Sequence, residues 1–548
     1  MPTDSERTVP EQYGGFAVTP PARYITTTAA NVADGWALRR VTAPSRLFGA
    51  NGIRTGADGR IYIAQVAGSQ ISALDPDTGD LETISAMGSE VVAPDDIAFA
   101  PDGDLYITEY YDGRISVRDA GGATRVLRDD IPGANGITFH QGRLFVDECR
   151  PGGRLMELDL AGGAPRILLD NLPMPNALEV GPDGKLYYPL LGSNEIWRID
   201  PEGGEPERVA ADLGGPDAVK FDAAGNIVST QVATGEVLRI DPRSGERTVL
   251  ATVGPGLDNL TFVDGRLFVS GFTGSITEIL GGGRTRTALA DGLTWPLDLT
   301  VGADGTLYIA DGTFLLAVPP GGEIHTAGML FSPGYPGYIR GITAVGDDEF
   351  IVTGNGSVSR YRPGAAESEV LFDGLDQLYG VAVSARGTVA VADLGTGSVH
   401  AVRSGGSEVL ARGLHDPMGV AFTANGTCLV AEAGAGRVVA VDGSAVDTVV
   451  DGLRTPHGLA VHDDLLYVVD VGDRTLIEVD PKTGARQVIA KHLPVGAPAG
   501  VTPKPLKGLL PFSGPQGPFT GLAAGPDGTL YISGDAEGSV LAVRREER

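Results

Sequence analysis

Short runs of four to six apolar or alternating residues recur along nearly the whole chain, divided by Gly, Asp and Pro. Runs of that length, bounded by turn residues, predict strands rather than helices. The runs group in fours. A unit of about 40 residues recurs twelve times, and a repeat of that length without helices favours a propeller over a solenoid. Each unit opens with an apolar strand such as DDIAFA from Asp95, NGITFH from Asn135 or DAVKFD from Asp217. A turn such as Pro101-Asp102-Gly103 follows, then strands like LYITE, RISVRD and TRVLRD. A lone four-stranded meander cannot bury both faces, whereas radial packing of such sheets leaves only short edges. The predicted fold class is therefore all-β, two tandem six-bladed β-propellers of four-stranded antiparallel blades.

Ring closure suggests where the propellers divide. The last unit, from Thr520, holds three strands, and a spare strand, WALRRV, precedes the first unit. If residues 36–41 close the first ring, then RTRTAL from Arg284 closes the second. That division gives a tail over 1–34, a first propeller over 35–283 and a second over 284–548. Should Gly281-Gly282-Gly283 instead be an ordinary hairpin turn, the boundary moves to about residue 292.

The 548 residues exceed one hydrophobic core. Eighty glycines without a collagen-like period fit many tight turns. A formal net charge of −28 repels phosphate backbones and argues against nucleic acid as a partner. Two cysteines, Cys149 and Cys428, exclude a disulfide scaffold. The first residues lack the pattern of a signal peptide, and no apolar stretch reaches the roughly 18 residues of a membrane span. A cytoplasmic location with no membrane partner is expected, and a small molecule is the expected ligand.

The residue opening each innermost strand is expected to face the central channel. In the first six units it is Asn51, Asp95, Asn135, Asn176, Asp217 and Asp258. An Asx-turn before a strand is one reason for such residues. The other six units carry Leu297, Arg340, Tyr379, Met418, His457 and Thr520 there, so the blade itself does not require Asn or Asp. Six converging oxygen-bearing side chains, three of them carboxylates, point to a hard divalent cation, Ca²⁺ first and Mg²⁺ or Mn²⁺ next. Neither His nor Cys belongs to the set, which disfavours Zn²⁺.

On these motifs, residues 45–546 resemble, once per ring, the propellers of the senescence marker protein/gluconolactonase/luciferin-regenerating group and, more loosely, NHL-repeat propellers. The resemblance implies a divalent cation at the channel mouth and opening of lactones or related esters. It sets Asn135, Asn176 and Asp217 at the family's Asn, Asn and Asp positions, with Asp217 as base. Asn51 stands where the family has Glu, which removes one ligand charge that Asp95 and Asp258 can restore.

The second mouth differs chemically. Arg340, Tyr379 and His457 are candidate catalytic groups there: an anion binder, a hydrogen-bond donor and an acid–base. Two Pro- and Gly-rich insertions, residues 329–341 and 495–519, bring Tyr335, Tyr338, Phe512 and Phe519, and Trp295 precedes the first inner strand. Aromatic lining with a few polar groups is the usual form of a small-molecule pocket. Large side chains plugging the channel are the competing explanation. Acids ending second strands in both rings, such as Glu109, Glu148, Asp311 and Asp470, are read as turn-bonding. The leading expectation is a metal-dependent lactonase-like hydrolase in the first ring. The alternatives are a lyase, isomerase or cyclase acting on an aromatic or polyketide-like metabolite at the second mouth, and a non-catalytic binding propeller.

Overall fold

A computed structural model describes residue 23 and residues 28–546, except 355, 444, 499, 505–507, 510–511 and 514–518. The predicted repeat is present as twelve radial blades, eleven of four strands and one of five, with a separate two-stranded hairpin at Gly508–Ser513. All pairings between strands are antiparallel hairpin neighbours except those made by the two N-terminal strands. The inner strands of the first six blades touch in a closed cycle, from Ile53–Thr55 round to Leu257–Val263 and back. Those of the next six do the same, from Pro296–Val301 round to Leu522–Ala524. The fold is thus two six-bladed propellers, and the core lies between blades. One such layer, formed by Ile137, Leu144 and Met156 against Ile115 and Val117, is buried throughout.

The strand pairing differs from the expected ring closure. Arg284–Leu289 pairs with Ile276–Gly281, so the three glycines are a hairpin turn and the first ring's strands end at Leu289. All three have positive φ, between 62° and 80°, a conformation that glycine adopts without a steric penalty. Trp36–Arg40 pairs with Leu541–Arg545 and is the outer strand of the last blade, so the N-terminal strand closes the second ring. Asn31–Val32 adds a fifth strand to the preceding blade, opposite Ala490 and Lys491. The first ring is therefore an insertion between one strand of the second ring and the rest of it. The physical reason is the apolar slot: buried Trp36 packs among Tyr467, Leu541 and Val543, and the Arg545 guanidinium lies 4.9 Å from its ring centroid. The Arg40–Glu537 ion pair (2.7 Å) pins the other end.

A candidate active site between the two propellers

Six of the twelve mouth residues are immediately preceded by Pro (Pro94, Pro175, Pro216, Pro296, Pro417 and Pro456). The hairpin ladder breaks register at that point, for example between Pro94 and Ile97, Ala134 and Ile137, and Pro216 and Val219. The same break occurs in the second ring, at Pro296 to Leu299 and at Pro456 to Leu459. A bulge re-aims one side chain. The turn toward the axis is thus a property of the blade, and residue identity there is free to serve chemistry.

In the first ring, all six predicted residues, Asn51, Asp95, Asn135, Asn176, Asp217 and Asp258, line one cavity of about 100 Å³. They are not equivalent. The Asn51 amide donates to Asp258 Oδ2 (3.0 Å), and its carbonyl accepts the Val66 N–H (3.1 Å). Asn176 donates to Asp217, and its carbonyl accepts the Ala177 N–H (2.8 Å). These two amides tie the turn and steady neighbouring carboxylates. Asp95 lines the cavity beside buried Asn135. Burial first, then the neighbouring Asp96, pushes the Asp95 carboxyl up to about 8. Burial, followed by repulsion from the other carboxylates, also raises Asp217 and Asp258 well above the carboxylate range. Three carboxyls held that high call for protons or a cation.

One turn deeper, the channel holds an ion-pair plug. Glu179 meets Arg54 (2.8 Å) and Lys220 (2.6 Å), and Thr138 donates to it (2.9 Å). Burial opposes its charge, but Lys220 and Arg54 more than offset that and hold Glu179 below the usual carboxylate range. Arg54 also donates to the Ile97 and Ile137 carbonyls, stitching three blades together.

The walls come from residues just after the second strands, which emerge on the mouth side: Ala67, Tyr110, Tyr111, Cys149, Leu191 and Phe272. The roof comes from the other ring. Leu330, Phe331 and Tyr338 of the first insertion, with Thr294 and Thr313, complete the cavity. Phe331 stacks on Phe272 at 6.0 Å. Leu191, Leu330 and Phe331 also border a groove of about 550 Å³ that runs past Val232, Ala233 and Tyr335. The second insertion meets the first ring as well, with Val501 near Met87 and Leu509 near Gly133.

The second mouth is filled. Arg340, Tyr379 and His457 are buried, and Phe519 stacks on His457 at 6.0 Å and lies 5.4 Å from Tyr379. His457 Nδ1 accepts the Thr520 N–H at 3.4 Å, and burial pushes the imidazole down to about 4 against the pull of Asp470. Trp295 lies 5.1 Å from Phe48 of the first ring, in a cluster with Leu297 and Tyr379 that packs the rings together. Phe512 pairs through its backbone with Leu509, and its side chain lies outside the described residues. Three strand-end acids bond turns: Asp311 accepts the Thr294 and Trp295 N–H groups, Glu109 that of Val92, and Asp470 those of Arg454 and Thr455, whereas Glu148 pairs with Arg150 (2.8 Å) and Arg154.

The sequence reading missed the first ring's aromatic wall and its roof. The signal was a constant offset, since the wall residues directly follow second strands. Among the described residues, no three His, Cys, Asp or Glu side chains cluster as a metal site, and no helix is long and apolar enough to cross a membrane.

The molecule is a double propeller with an enclosed polar mouth. Residues 31–269 match the family model of the SMP-30/gluconolactonase/LRE-like region, which spans most of the first ring. No curated protein matches the chain. Among solved structures, a streptogramin B lyase is 19% identical, over 50% of this chain and 95% of that one, with a TM-score of 0.38. Virginiamycin B lyase from Staphylococcus aureus is 17% identical, over 50% and 96%, with a TM-score of 0.38. A gluconolactonase-like protein is 19% identical, over 47% and 95%, also at 0.38.

Proposed function

We propose that the first propeller is a metal-dependent lactonase-like hydrolase that opens a lactone or related ester of a small metabolite. The observation that carries this reading is the convergence of Asp95, Asp217 and Asp258, all with raised carboxyl pKa, on one cavity with Asn135 that the second ring partly roofs. The donor chemistry is that of a hard cation: Asp95, Asn135, Asp217 and Asp258 bring oxygen atoms to the floor, while Asn51 and Asn176 spend their carbonyls on backbone N–H groups. Asp95, Asn135, Asp217 and Asp258 would have to draw closer together to hold it, since no three acids among the described residues are gathered as a metal site, and Ca²⁺ is the best match with Mg²⁺ or Mn²⁺ next. When bound, such an ion polarises an acyl carbonyl and stabilises charge on its oxygen.

The chain's own residues do the rest. Asp217, steadied by the Asn176 amide, takes a proton from a water as that water's oxygen bonds to the acyl carbon. The ring C–O bond then breaks, and the leaving alkoxide takes up the proton. The Glu179 plug closes the channel floor, and the aromatic walls exclude bulk water. The second mouth, filled by Phe519 and holding a His457 pushed down to about 4, favours a scaffold role for that ring.

The test is hydrolysis of a lactone panel by the full chain, with and without chelator. Asp217→Asn is expected to lower turnover by about 10²-fold or more. Undiminished turnover in that variant, or in chelator, would sink the reading.

A further inference from the structure

We infer that the ligand of this site is a flat, apolar ring compound with one carbonyl-bearing head, rather than a polyhydroxylated sugar lactone, and that the second propeller's insertion selects it. The inference rests on the lactone or ester reading for what happens to the head, but not for what binds.

The inner cavity, at about 100 Å³, has the scale of a single ring; an apolar cavity of about 150 Å³ accepts benzene. Its six Asn and Asp side chains converge on the floor, while Tyr111, Thr294, Thr313 and Tyr338 bring hydroxyls to the walls and roof, that of Thr294 spent on the Phe272 carbonyl (2.6 Å). Tyr110 has its hydroxyl spent on the Cys149 carbonyl (2.7 Å). Above, Phe272 and Phe331 stack, with Tyr338 alongside. The outer groove is more apolar than polar: Met174, Val232, Ala233, Leu330 and Phe331 border it, and the Asn194 side chain, the Tyr335 hydroxyl and backbone groups supply its polar surface.

A sugar lactone carries hydroxyls on several ring carbons, and each one buried here without a partner costs affinity. A flat hydrocarbon body gains from the same walls. The geometry therefore sorts a ligand end to end, with the carbonyl on the floor, the first ring between the aromatic walls and roof, and any further body in the groove. Because Leu330, Phe331 and Tyr335 come from the second ring, that ring is the specificity element of a site whose acids all belong to the first. Thr313 Oγ1, in the roof, has no hydrogen-bond partner among the described residues and offers one donor to an oxygen on the ligand body.

The experiment uses the full chain and two probes, dihydrocoumarin and glucono-1,5-lactone, with binding followed by calorimetry and turnover followed separately. Dihydrocoumarin is expected to bind more tightly than the sugar lactone. Phe331→Ala, which removes the roof, and Ala233→Trp, which fills the groove from its exposed wall, should each weaken dihydrocoumarin by about tenfold. The two variants sit on opposite walls, so the test stands if one fails to fold. Dihydrocoumarin bound but not opened would leave this inference standing and sink the hydrolase reading. The inference is overturned if glucono-1,5-lactone binds more tightly than dihydrocoumarin and is opened equally well by Ala233→Trp, an outcome that leaves the hydrolase reading intact. It is also overturned if neither variant changes dihydrocoumarin affinity.

Discussion

Removing the indole at Trp36 tests which ring the N-terminus closes. Trp36 is 8% exposed and packs among Tyr467, Leu541 and Val543, and its strand meets the final strand over five residue pairs from Trp36↔Arg545 to Arg40↔Leu541. Trp→Ala in such a layer costs about 3–5 kcal/mol, from lost apolar burial plus the cavity left behind. Loss of the Arg545 contact over the ring adds to this. The penalty falls on the closing blade, because the strand has no other partner. Hydrogen exchange monitored by fragment is the suitable assay, since it reads local opening. A loss of 3–5 kcal/mol accelerates exchange by about 10²- to 10⁴-fold. The acceleration should appear in Leu530–Gly534 and Ser539–Arg545 and spread to the neighbouring blade at Leu465–Val479. The six blades between Ile53 and Leu289 should keep their protection. Acceleration at Leu257–Leu289 with the final blade unchanged would refute this closure.

Two further expectations concern the first ring. Glu179→Leu leaves Arg54 and Lys220 buried without their shared carboxylate and should cost about 3–5 kcal/mol, read as a lower melting temperature that high salt does not restore. In chelator, melting temperature should fall as pH rises from about 4 toward 8: the native state keeps the proton on Asp95, whose carboxyl is pushed up to about 8, while the unfolded chain releases it near 4. The stability is present in full below the unfolded value and is lost as pH climbs through the folded one, and Ca²⁺ should flatten the slope. A flat profile in chelator would count against the crowded carboxylates.

The repeat, the blade and the six axial residues were legible because each is a local pattern. Alternating strands set the sheet, and Pro before a bulge sets the direction of Asp95 and Asp217. Ring closure was not legible. RTRTAL and WALRRV share one outer-strand pattern, and choosing between them needs the slot formed by Tyr467, Leu541 and Val543, far away in sequence. The roof was missed for a similar reason. Tyr335 and Tyr338 were placed in an insertion at the second mouth, but where an insertion lands depends on how the rings face each other, which the Phe48–Trp295 and Phe272–Phe331 contacts fix. Asn51 and Asn176 show a further limit: composition marked both as oxygen donors, yet their carbonyls accept the Val66 and Ala177 N–H groups.

Titration of Ca²⁺ into metal-free full-length protein by calorimetry bears most directly on the first mouth. One site is expected, abolished by Asp95→Asn combined with Asp258→Asn and unchanged by His457→Ala in the other ring. Absence of heat from the unaltered protein, or a binding curve that the double variant leaves intact, would contradict a cation at the floor of this cavity.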